Sequence, residues 1–244
     1  RVDAAGADIG RALRLAPNDA NALALQAIIA VVQGEKDKAL ASAQSAVQAS
    51  PKSATAVIAL SYAQQARFDL EGARASLQQA VQLDPQNALA WARLSELWAS
   101  FGELDRALEA AQKATALDPN LSRTQTVLGY AYLMRINTKA AKEAFEKAIG
   151  LDSADPLPRM GLGLARIREG DLQVGSREIE AAAGLDPSNA IIRSYLGKAY
   201  YEEKRSKLDE REYAAAKQLD PKDPTPYFYD AITKQTTNRP VEAL

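Results

Sequence analysis

Seven positions in this chain stand one fixed interval apart: Pro17, Pro51, Pro85, Pro119, Ser153, Pro187 and Pro221 each follow the last by 34 residues. Four of them close the phrase Leu-Asp-Pro, at Leu83 to Pro85, Leu117 to Pro119, Leu185 to Pro187 and Leu219 to Pro221. A strict period of this length is the mark of a solenoid, in which no single unit can bury its apolar face and neighbours must stack to make a core. Counting domains by length does not apply to such a chain, because its core runs along the array.

Within each period the apolar spacing predicts two helices. Between Ala88 and Phe101, residues Leu89, Trp91, Leu94, Leu97 and Trp98 recur at helical intervals; Gly102 then interrupts, and Leu104 to Leu117 forms the second helix. The closing proline fits a boundary, since proline is tolerated in a turn or first turn and breaks a helix interior. The predicted class is therefore all-α, built of antiparallel helix hairpins.

These residues resemble the tetratricopeptide repeat family, whose motif has a large residue at position 4, Leu at 7, small residues at 8 and 20, an aromatic at 11, Ala at 27 and Pro at 32. The third repeat supplies Trp91, Leu94, Ser95, Trp98, Ala107, Ala114 and Pro119, and the fourth supplies Leu128, Gly129, Tyr132, Ala141, Ala148 and Ser153. The resemblance implies a right-handed superhelical solenoid. It divides the chain into a second helix of a truncated repeat (1–19), six full repeats (20–53, 54–87, 88–121, 122–155, 156–189 and 190–223) and a truncated final repeat (224–244). The last has a first helix around Tyr227 to Thr236 and stops at Ala243 and Leu244 in the second. Both ends fall inside repeats, so the chain reads as an excerpt of a longer one. Asp209 stands where the motif expects alanine, which predicts a distorted or shifted second helix in the sixth full repeat.

Composition narrows the chemistry. Neither cysteine nor histidine is present, which removes disulfides, thiolate catalysis, a histidine base and Cys/His metal sites. Gly161 and Gly163 lack the third glycine of a dinucleotide loop, with Arg166 in its place, and fall within a predicted helix. No catalytic residue, metal site or cofactor is expected. Thirty basic against thirty-one acidic residues give no field to gather polyanions, which disfavours nucleic acid as a partner. No apolar stretch approaches the roughly 20 residues of a membrane span. No targeting segment is recognisable, and a chain without thiols suits cytoplasm or periplasm equally. In its alanine-rich, cysteine-free style the chain is similar to bacterial arrays.

What the resemblance implies about function is a protein–protein interaction scaffold without catalytic activity. First helices line a concave groove that takes a partner peptide or helix, and the family's groove-facing positions fall on Tyr62, Tyr130, Leu133, Met134, Met160, Leu164, Arg168, Lys198, Tyr201 and Phe228. Position 6 holds Leu25, Ala59, Arg93, Val127, Gly161 and Tyr195, and neither it nor position 9 carries the asparagines of a chaperone-tail clamp. Arg123, Arg159, Arg166 and Arg193, on consecutive first helices, form a second candidate site, for an anion; the competing reading is a solvated face paired locally to Glu169, Asp171, Glu202 and Glu203. Three alternatives to groove binding stand beside these: self-association into a homo-oligomer, a structural spacer or assembly arm of a larger envelope or secretion protein, and substrate recognition for a catalytic domain elsewhere.

Overall fold

The computed structural model describes residues 2–237. Among them are fourteen helices and no strand, and by compactness the chain divides into two units, Arg1–Pro119 and Asn120–Leu244.

The first unit opens with α1 (Val2–Leu15), followed by three hairpins: α2 (Ala20–Val32) with α3 (Lys36–Ala49), α4 (Ala54–Ala66) with α5 (Leu70–Leu83), and α6 (Ala88–Ser100) with α7 (Leu104–Leu117). The second has α8 (Ser122–Met134) with α9 (Thr138–Leu151), α10 (Pro156–Arg168) with α11 (Leu172–Leu185), α12 (Ala190–Glu202) with α13 (Ser206–Leu219), and finally α14 (Thr225–Thr236). Ala243 and Leu244, expected in a last second helix, lie outside the described residues.

The repeated Asp-Pro phrase does its work between hairpins. The aspartate is the C-cap of the second helix, in extended backbone at Asp84, Asp152, Asp186 and Asp220. Its carboxylate accepts from the amide two residues on, as Asp84 does from Gln86 (3.2 Å), Asp152 from Ala154 (3.0 Å) and Asp220 from Lys222 (3.0 Å). This Asx turn, with proline or Ser153 at its centre, delivers the chain to the next N-cap. There Asp19, Ser53, Asn87, Asp155 and Asn189 each accept from an amide of the following first turn at 2.7–3.2 Å, satisfying donors that a helix start leaves open.

Each first helix from α2 to α12 ends in a Schellman turn, closed by an amide reaching back five residues, as Glu35 to Ala30 (2.8 Å) and Asn137 to Tyr132 (3.0 Å). The motif needs a left-handed residue at its centre. Gly34, Gly102 and Gly170 supply it in alternate repeats, while Phe68, Ile136 and Lys204 adopt the same conformation at φ 62–63° in the others.

Alanine dominates where helices of a hairpin cross: Ala39, Ala73, Ala107 and Ala141 are buried, letting backbones approach closely. Where a large side chain enters the crossing, the facing residue is glycine. A β-carbon on Gly129 would lie 2.5 Å from the Phe145 ring, one on Gly163 2.6 Å from Ile179, and one on Gly197 2.6 Å from the Tyr213 ring. The expected distortion at Asp209 is absent: α13 is a regular 14-residue helix in the same register as its counterparts. Its carboxyl folds back on its own turn, Oδ1 accepting from the Glu210 amide at 2.7 Å, so the backbone need not shift.

Candidate partner-binding face

The two kinds of helix have different surfaces. Among the described residues, every exposed large apolar side chain on a second helix is that helix's final residue: Leu15, Leu83, Leu151, Leu185 and Leu219. First helices expose such side chains before their last residue as well: Leu25 and Leu89 in the first unit and Ile191, Tyr227 and Phe228 in the second, besides Val32 and Met134, which end α2 and α8. The rest of the exposed set, Phe68 and Ile136, sits in the turns.

In the first unit, Tyr62 is half-buried under a cation. The Arg93 guanidinium lies 3.9 Å above its ring, held there by Glu96 (2.9 Å) and by the Gln65 side-chain oxygen (2.5 Å). Arg93 is the residue that replaces the clamp asparagine at position 6. Its side chain is only 12% exposed, so it is a wall of this face rather than a free charge. Position counting identified Tyr62, while the arginine over it depends on two adjacent first helices and is visible only in three dimensions.

The nine expected groove residues of the second unit separate into two layers. Leu133 and Met160 are core residues, 8% and 6% exposed, and present almost no surface to a partner. Tyr130 packs edge-on against Phe145 with ring centroids 4.9 Å apart, and its hydroxyl donates to the Leu157 carbonyl at 2.8 Å. Burial, reinforced by Tyr195 and Asp155, pushes its pKa far up, so it remains a neutral donor. Leu164 packs half-buried on the same cores. These four hold α8, α10 and their neighbours together. Neighbouring first helices lie close enough, α8 on α10 and α12 on α14, to bury these positions.

Outside that layer stand Met134 (43% exposed), Ile191 (51%) and Phe228 (62%). Arg168 donates to the Leu133 carbonyl at 3.1 Å, near the end of α8. Lys198 pairs with Glu202, and the Tyr201 hydroxyl shares a 2.8 Å hydrogen bond with Thr236. Phe228 leans on Tyr229, centroids 5.6 Å apart, and Tyr229 on Tyr195 at 5.9 Å; burial pushes the Tyr229 pKa up to about 12. Neither Ile191 nor Tyr229 is among the ten, and Tyr229 stands one place beyond Phe228.

The arginine set is charge-matched. Arg159 pairs with Glu178 (3.1 Å), Arg166 with Glu146 (3.4 Å) and Arg193 with Glu212 (2.7 Å), all on second helices; Arg123 acts on the Tyr130 hydroxyl. The three arginines pair with carboxylates other than the four expected; of those four, Glu169 binds Lys142, Glu202 binds Lys198 and Glu203 binds Arg205. Arg193 also shows why arginine replaces an apolar residue at position 4. Its Nε donates to the Pro187 carbonyl at 2.8 Å, as the Trp91 indole does to Pro85 (3.0 Å) and the Tyr227 hydroxyl to Pro221 (3.3 Å). Three residue types fasten the same interhelical turn. Among the described residues no cluster could hold a metal ion, and no helix is long and apolar enough to cross a membrane.

Three family descriptions, each reading tetratricopeptide repeat, match residues 64–129, residues 1–54 with 160–224, and residues 122–155. No curated protein matches. Among solved structures, the chain is similar to one in the Cut9–Hcn1 hetero-tetramer of APC/C, with a TM-score of 0.83 and 22% identity over 97% of this chain and 47% of that one. It thus spans about half the length of that relative. It is also similar to a thermophilic TPR protein of Thermus thermophilus (TM-score 0.69, 20% identity, 75% of this chain and 100% of that one) and to pilF of Pseudomonas aeruginosa (0.64, 19%, 88% and 97%). At these identities the likeness is one of fold.

Proposed function

The chain belongs to the tetratricopeptide repeat family, whose fold implies a protein–protein interaction scaffold, and we propose that it acts, without catalysis, by docking a peptide or helical segment of a protein partner on its first helices. One observation carries the reading: exposed large apolar side chains run along first helices and are confined to the last residue on second helices. Burying apolar area of this kind against a complementary segment is what drives peptide docking, and aromatic and Met side chains offer contact area at small entropic cost.

The layering selects the variants. Tyr130→Ala or Met160→Ala would remove core packing and confuse binding with stability. Met134→Glu, Ile191→Glu and Phe228→Glu instead change side chains that already face solvent. The triple variant should fold as the parent does and lose partners captured from extracts of the source organism, with affinity for an isolated partner falling at least about tenfold. Full retention of that partner by a folded triple variant rejects this face in the second unit. Leu25→Glu, Val32→Glu and Leu89→Glu put the same question to the first. Self-association appears in the same experiment as a change of mass with concentration.

A further inference from the structure

The charges of first helices are distributed unevenly between the two units. Helices α2 and α4 carry none, and the two on α6, Arg93 and Glu96, pair with each other. On α8, α10, α12 and α14 stand seven arginines and lysines against two carboxylates, Glu202 and Asp230. Most of these cations are matched. Arg159, Arg166 and Arg193 turn to carboxylates on second helices, Lys198 pairs with Glu202 and Lys234 with Asp230.

Arg168 differs. It is exposed, and among the described residues its guanidinium meets no carboxylate; Nη1 donates to the Leu133 carbonyl at 3.1 Å. That carbonyl belongs to the last turn of α8, next to exposed Met134. Of the carboxylates that follow Arg168, Glu169 binds Lys142, Asp171 caps α11 and Glu202 binds Lys198. The bond to a helix C-terminus holds the guanidinium in place. It leaves the charge uncancelled and occupies one of five N–H donors.

We propose that the second unit selects a segment bearing a side-chain carboxylate, which pairs with Arg168 while an adjacent apolar side chain of the segment packs on Met134. The inference rests on the docking reading above and supplies the chemistry of the partner. Its basis is charge complementarity. A carboxylate matches the guanidinium fork by two parallel hydrogen bonds. A basic segment would meet like charge, and the two carboxylates on these first helices, Glu202 and Asp230, are already neutralised. Met134 beside the guanidinium suits a peptide better than a polyanion, whose phosphates have no apolar surface to bury. The first unit, whose first helices present no unmatched charge, should show no such preference.

The test is selection from a random peptide library displayed on phage, on the full 244-residue chain. The peptides are joined to the coat protein through their carboxyl ends, so that only side-chain carboxylates are offered. Peptides held by the second unit are those that the Met134→Glu, Ile191→Glu, Phe228→Glu variant no longer binds. These should be enriched in Asp or Glu at a fixed distance from an apolar residue. For one such peptide, made synthetically with an amidated end, Arg168→Gln should lower affinity by about five- to tenfold. Changing the peptide's own acid to the amide should do the same, and the two changes together should cost little more than either alone. Second-unit peptides without acidic enrichment overturn the proposal, as does an affinity unmoved by the acid-to-amide change in the peptide. That second measurement leaves the protein untouched, so it decides the matter where Arg168→Gln loosens the end of α8. If no peptide is selected, or the folded triple variant holds every selected peptide as well as the parent does, docking on the second unit itself fails and this inference with it.

Discussion

Phe145 shows how a single side chain can depend on two absences. It is fully buried, and its ring is flanked by Gly129 and Gly161, where added β-carbons would stand 2.5 Å and 2.3 Å away. With both sides blocked, the ring cannot swing clear of a methyl group. Gly129→Ala therefore sets overpacking, about 1–3 kcal/mol, against a helix-propensity gain of about 1 kcal/mol, and the short distance places it toward the larger cost. The sign should reverse in a Phe145→Leu background, where the methyl group has room and only the propensity gain remains. Denaturation midpoints of the four chains in this cycle decide it; destabilisation unchanged by Phe145→Leu would mean the glycine serves something other than the ring. Reading the chain alone marks both glycines as small packing residues. It does not reveal that they serve one aromatic ring, because Gly161 belongs to the following repeat.

At the scale of the element, helix boundaries were legible and helix surfaces were not. The period, the apolar spacing and the prolines anticipate the hairpins, and the third runs Ala88–Ser100 and Leu104–Leu117 as expected to within one residue. Boundaries are set by local chemistry, caps and turns, which a sequence displays. Whether a groove position is exposed depends on the spacing to the next first helix: the same reasoning that placed Met134 and Phe228 also placed Leu133 and Met160, which are buried. The anion-binding arginines failed to stand alone for a related reason, their carboxylates lying 19 or 20 residues away on second helices. The turns carry the clearest departure from an ideal repeat. Ile136 is β-branched, left-handed and 71% exposed, a conformation that costs about 1–2 kcal/mol for such a residue, with little packing in return. Ile136→Gly should raise stability by about 1 kcal/mol, read as a higher denaturant midpoint at unchanged slope; a loss would show that the isoleucine is held by a contact worth more than the strain.

For the molecule as a whole, the governing fact is how short the range of its contacts is. Within each unit, sustained contact joins a helix only to the next helix or the next but one. Stability in such an array accumulates repeat by repeat. A chain held together only by neighbours also has a mechanical character. Drawn out by its termini, it should yield as thread comes off a spool, in lengths set by the repeat: 34 residues at about 3.3 Å each, roughly 110 Å of slack per hairpin. A single-molecule trace with steps of that size or simple multiples of it would make this protein an elastic tether; one abrupt extension spanning a whole unit would mean that its repeats break together.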